Sequence, residues 1–194
     1  MNGLVNRAIQ NFLRDGWGAA AWADAARAAG APPAGFEPLM DYDPGLTTRL
    51  VAAAAARLDR GQDCLLEDLG TWLVSHPSRA GVRRLLRFGG PDFREFLQSL
   101  DELPARARLA LPDLRLPPLR LIAEGAGVYS LVIGAGFPGA GAVALGLLRA
   151  MADDYGALAV IEGGDAAPDG SGRLVIRLLD EDFAEGRAFA LGRA

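Results

Sequence analysis

Phe93-Arg-Glu-Phe-Leu-Gln-Ser-Leu-Asp-Glu-Leu103 is followed at once by Pro104, and how this stretch is read decides how the rest of the chain is placed. Phe93, Phe96, Leu97, Leu100 and Leu103 recur at spacings of three and four, which predicts a helix from Asp92 to Leu103 with one buried stripe. Pro104 lacks the amide that a helix interior needs, so it breaks or kinks the helix, and Ala105–Leu111 resumes it.

Toward the N-terminus the same period continues. Leu4, Val5, Ala8, Ile9, Phe12 and Leu13 form a first stripe, and Gly16 and Gly18 interrupt it before a second helix through Trp22 to Gly30. Asp43-Pro44 supplies a capping carboxylate and a first-turn proline for a third helix. A fourth runs from Gln62 to Ser75 and ends at His76-Pro77. A short one starts at Ser78 and stops at Gly89-Gly90. Toward the C-terminus, Pro112, Pro117 and Pro118 form a stiff linker, after which the period changes. Leu119–Glu124, Val128–Ile133, Ala157–Ile161 and Arg173–Leu179 read as strands, with one helix from Pro138 to Tyr155.

With 194 residues, 51% hydrophobic and 23% charged, the chain has the make-up of a soluble globular domain. All 20 basic residues are arginine, and a net charge of −4 with a pI of about 5.0 has the wrong sign for a nucleic-acid binder. Arg83, Arg84 and Arg87 are expected on a solvated helix face. Asp153-Asp154 and Asp180-Glu181-Asp182 are expected to be solvated acidic pairs. The lone cysteine, Cys64, is expected to be a small buried residue in a reducing compartment. One histidine and one cysteine leave no zinc site of the usual kind, and no serine has a base suggested by a motif, so no enzyme is expected. No apolar run is long enough to span a membrane and no signal-peptide pattern opens the chain, so a cytoplasmic location is expected.

Gly134-Ala-Gly136-Phe-Pro-Gly139 matches G-x-G-x-x-G between a strand and a helix, and Glu162 ends the next strand. Dinucleotide binding through Gly134–Gly139 is thus one reading. Against it, a doubly wound sheet needs more parallel strands than this chain offers, and Pro138 removes a donor from the turn.

A second reading draws on the whole chain. Met1-Asn-Gly-Leu-Val-Asn-Arg-Ala8, Trp22, Tyr42-Asp43, Leu50-Val-Ala-Ala-Ala54 and Gly70 come in the order found in the haem nitric oxide/oxygen binding (H-NOX) family, and 93–103 looks like its haem-bearing helix. The chain resembles that family, which includes the sensor domain of soluble guanylate cyclase. The resemblance implies an α+β fold: an N-terminal helical bundle packed on a C-terminal antiparallel sheet with one long helix. It implies a single domain over 1–194, with a helical subdomain at 1–118, an α/β subdomain at 119–181 and a tail at 182–194.

The family holds haem through one histidine on that helix and a Tyr-x-Ser-x-Arg motif for the propionates. Carried over, the histidine falls on Pro104 and the motif on Ile133, Ala135 and Phe137. Proline has no ligand nitrogen and the other three have no side-chain donor, although each such charge-assisted bond is worth roughly 1.5–3 kcal/mol. Haem is therefore the cofactor the resemblance implies and one these residues do not support. The expected function is a stand-alone sensory domain, haem-free or sensing another ligand, acting in trans on a histidine kinase or cyclic-dinucleotide enzyme. The alternative is a haem-based nitric oxide sensor with unusual ligation, for which His76 is the substitute ligand. The other reading of His76 is a helix-end residue near the last carbonyls.

Overall fold

Gly18 sits at φ 84°, ψ 172° and bends the first helix, α1 (Gly3–Ala29), where the sequence separates two helices. The computed structural model describes residues 3–164 and 167–189, so residues 190–194 of the expected tail lie outside the described residues. α2 (Pro44–Leu58) starts as its cap requires, with the Asp43 carboxylate accepting from Gly45 N at 3.1 Å. α3 (Gln62–Ser75) ends at His76, and a 3₁₀ turn (Pro77–Arg79) leads into α4 (Ala80–Arg87).

The helix expected over Asp92–Leu103 is shorter. α5 spans Phe93–Gln98 and gives way at Ser99 to a 3₁₀ turn (Leu100–Glu102), and α6 (Leu103–Ala110) carries Pro104 in its first turn. Side chains take over the freed backbone groups. Ser99 Oγ donates to Phe96 O at 2.8 Å, and Arg106 donates to Ser99 O at 3.2 Å. The break therefore precedes the proline, which sits where its missing donor costs nothing.

The four strands are β1 (Leu119–Gly125), β2 (Val128–Ile133), β3 (Leu158–Gly163) and β4 (Gly172–Asp180), paired antiparallel in the order β1-β2-β4-β3. This is the α+β architecture expected. β2 and β3 run the same way with β4 between them, and α7 (Ala140–Tyr155) makes the crossover. Register puts Tyr129, Leu131, Leu174 and Ile176 on the face that α7 covers.

Two hydrophobic cores result. One gathers α1, α2 and α3 around Phe12, Trp22, Leu50 and Leu69. The other joins α5 and α6 to the sheet and α7 through Phe96, Leu100, Leu148 and Met151. The change of period near residue 118 thus marks a change of secondary structure, while α4–α6 share their core with the sheet.

α3 and α7 tie the two cores together, and two glycines make the contact. A Cβ on Gly70 would lie 2.1 Å from Val143 O, and one on Gly146 would lie 1.9 Å from Glu67 O. Thr71 Oγ1 donates to Gly146 O at 3.3 Å, and Arg149 pairs with Glu67 alongside.

Three expectations about charged and thiol groups are corrected here. Asp154 is 1% exposed, not solvated. Arg83 Nε donates to its carboxylate at 2.8 Å, with Arg87 and Arg187 guanidinium nitrogens at 3.7 Å. Arg83 and Arg87 thus turn inward from α4, and only Arg84 of that cluster is exposed. The same group anchors the segment after β4: Arg187 N donates to Asp154 O at 2.9 Å, and Arg83 also reaches Ala188 O at 3.1 Å. Glu181 is likewise paired, with Arg94. Cys64 is exposed in the first turn of α3, because the inward stripe of that helix is taken by Leu65, Leu66 and Leu69.

Tyr155 packs against this group. Its hydroxyl donates to Gly90 O at 2.8 Å, the Arg87 guanidinium lies 3.9 Å from its ring centre, and burial pushes its pKa up to about 12.

Gly146→Ala should cost about 3 kcal/mol or more in urea denaturation, since backbone must move. Gly81→Ala, with open space at its Cβ, should gain about 0.5–1 kcal/mol. Asp154→Ala should cost about 3–5 kcal/mol by leaving inward arginines uncompensated. The raised phenol pKa favours the neutral form in the fold, so stability should fall as pH rises from about 10, where the unfolded phenol ionises, to about 12. Absorbance titration of Tyr155 against its Phe variant checks the value.

Candidate functional site

A cavity of about 110 Å³ opens where the α5–α6 corner, the proline linker, the sheet and α7 meet. Each wall follows from a local rule. Alternation along β2 turns Leu131 and Ile133 inward. The 3₁₀ turn and the start of α6 present Leu100 and Leu103. Ala140, Val143, Ala144, Leu147 and Leu148 line the side made by α7, at the spacings that share one helical face. Leu116, Pro117, Leu119 and Phe137 complete the lining. Every lining side chain is apolar.

The glycine-rich turn supports this wall. Gly134 N donates to Pro118 O at 2.8 Å and Gly136 N to Asp169 O at 2.9 Å, so both amides are spent on protein carbonyls. Glu162, where the dinucleotide reading would place the acid that grips a ribose, pairs with Arg177 at 2.7 Å. With these two amides spent and an antiparallel sheet beside it, Gly134–Gly139 lacks the doubly wound setting that dinucleotide binding uses.

The residues singled out from the sequence divide. Ile133, 1% exposed, and Phe137, half-buried, line the cavity. Ala135 is exposed in the turn. Pro104 is half-buried and lines a neighbouring groove of about 430 Å³ with Asp101, Arg108 and Arg115. His76 caps the end of α3 on the other core. Its Nδ1 lies 2.8 Å from Ser78 Oγ and 3.7 Å from Asp15 Oδ2, and its ring packs at 5.5 Å on Trp72. It contributes nothing to the cavity wall. The α7 residues Val143, Ala144 and Leu147 are not among the residues the sequence singles out. Their signal is the apolar pairing 143–144 and 147–148 in α7, which predicts a buried face without saying what it encloses.

This lining does not fit haem. Iron needs an axial nitrogen, sulfur or oxygen, and propionates need donors; no side chain on the wall supplies either. The cavity is also a few water volumes in size, while a porphyrin is many times larger, and α3 already touches α7 through Gly70 and Gly146. Among the described residues, no group of three or more His, Cys, Asp and Glu could hold a metal ion, and no helix is long and apolar enough to cross a membrane.

Comparison with known proteins places the fold. The Haem-NO-binding family model matches residues 2–162. The chain is 23% identical over 121 residues to soluble guanylate cyclase 89Db of Drosophila melanogaster, covering 62% of this chain and 18% of that protein. It is 25% identical over 117 residues to soluble guanylate cyclase gcy-31 of Caenorhabditis elegans, covering 60% and 17%. The chain thus spans under a fifth of the length of these relatives. Among solved structures, an H-NOX protein from S. oneidensis in the Fe(II) ligation state superposes with a TM-score of 0.76 at 17% identity, over 95% of this chain and 100% of that one. An oxygen-binding H-NOX domain related to soluble guanylate cyclases gives 0.71, also at 17% identity, over 97% and 100%. At that identity the superpositions speak for the fold alone.

Leu148, 1% exposed, forms a buried wall, so Leu148→Ala should cost about 2–5 kcal/mol by enlarging the void. His76→Ala should cost under about 1 kcal/mol, because its contacts are half-exposed. Urea denaturation of both variants measures the difference.

Proposed function

The chain belongs to the haem-NO-binding family, and from that premise we propose that it is a sensory domain that works without haem. It acts as one domain over 1–194 and passes its state in trans to a separate signalling protein, such as a histidine kinase or a cyclic-dinucleotide enzyme. The family whose model matches residues 2–162 is one of haem-NO-binding sensor domains. One observation carries the haem-free reading: no side chain lining the cavity offers a nitrogen, oxygen or sulfur. Pro104, Ile133, Ala135 and Phe137 supply no ligand where the family resemblance puts one. An exposed, unpaired Cys64 suits a reducing cytoplasm.

Without an axial bond to make or break, the signal has to come from a difference in packing between two states of the domain. α7 is the element placed to transmit it, since it lines the cavity on one side and meets α3 on the other.

Protein expressed with excess haem precursor and purified gently should be colourless and should take up no added hemin. A strong Soret band near one haem per chain overturns the reading. Loss of that band in His76→Ala would then establish the unusual ligation instead.

A further inference from the structure

We propose that the cavity beside Phe137 binds a small, uncharged, apolar molecule about the size of benzene. The inference rests on the haem-free reading and names what the site takes in haem's place.

The chemistry of the wall excludes most other occupants. An ion, a carboxylate or a nucleotide would lose its hydration and find no side-chain partner, since the lining is apolar throughout. Water is also a poor tenant, because a buried water needs two to four polar neighbours. What remains is a molecule whose contacts are all dispersion. The size agrees: at about 110 Å³ the cavity approaches the roughly 150 Å³ engineered void, lined by Leu, Ile and Phe, that stays dry and takes benzene or xenon.

The walls are firm at the back and looser at the front. Leu131, Ile133 and Leu148 are each 1% exposed. Leu116, Pro117 and Phe137 are half-buried and belong to the linker and the turn, outside any helix or strand. That side gives a ligand its way in.

Occupancy also reaches the rest of the molecule. Val143 and Leu147 line the cavity. Their backbone is also what Gly70 packs against: its Cβ position lies 2.1 Å from Val143 O and 2.7 Å from Leu147 N. A ligand that presses on these two side chains acts on the same turn of α7 that meets α3, so the filled and empty states differ at the junction of the two cores.

Thermal melting of the full chain with benzene tests this, with a hemin titration of the same preparation run alongside. Benzene at about ten times its Kd should raise the melting temperature by about 3–6 °C. Ala144→Leu, which fills the cavity from α7, should abolish the rise; Ala144→Val, a smaller insertion, should reduce it if the leucine variant fails to fold. Xenon under pressure should perturb the methyl resonances of Leu131 and Leu147 in the original chain and not in the filled one. No benzene shift with no Soret band overturns this proposal and leaves the haem-free reading standing. An equal shift in the filled variants overturns it as well. A Soret band overturns both.

Discussion

α3 and α7 meet backbone to backbone at Gly70 and Gly146, where a methyl group on either residue would come within 2.1 Å of a facing carbonyl. Such an approach is open only to residues without a Cβ, and it forces α7 to lie against the helical half along one turn of each helix. The rest of the molecule is arranged around that constraint. α7 cannot shift without losing the contact, so its opposite face is committed to the sheet. The sheet in turn receives α5 and α6 through Phe96, Leu97 and Leu100. Two cores that would otherwise be separate become one structure through a pair of glycines.

The same constraint shapes the chemistry of the site. With α7 drawn onto α3, the space it leaves beside the sheet is small and walled by hydrocarbon: leucines, Ile133, Phe137 and Pro117. Such a wall can discriminate by shape and size, and it repels charge. Iron and propionates need electron pairs and donors, and no lining side chain has either. Apolar atoms facing such a space lack dispersion partners on their open side.

Charge is concentrated elsewhere, at Asp154. A carboxylate 1% exposed is tolerable only with partners, and here α4 supplies Arg83 and Arg87 while the segment after β4 supplies Arg187. The guanidinium suits this task because its several donors in a fixed fork serve the carboxylate and nearby carbonyls together. Nothing in the local sequence distinguishes Asp154 from Asp153. The helix ends two residues later at Gly156, and only the docking of α4 onto that end decides which acid is enclosed. For the same reason, the helical spacing of Arg83 and Arg87 reads as a solvated face until their partner is known.

Local pattern was enough to place the elements and their order. Period 3.6 marks the helices before the prolines and period 2 the strands after them, because burial of one face requires those repeats. The cap at Asp43 and the stop at His76-Pro77 are local chemistry and read directly. The resemblance running through 93–103 also pointed to the family whose model matches residues 2–162. Tertiary structure settled what local pattern cannot carry. It ended α5 at Gln98, ahead of Pro104, through side-chain bonds made to its last turn. It put His76 and the cavity on different cores, and it spent the amides of Gly134 and Gly136 on Pro118 and Asp169. Each of these depends on residues meeting at van der Waals distance in three dimensions, and no single stretch of sequence records such a meeting.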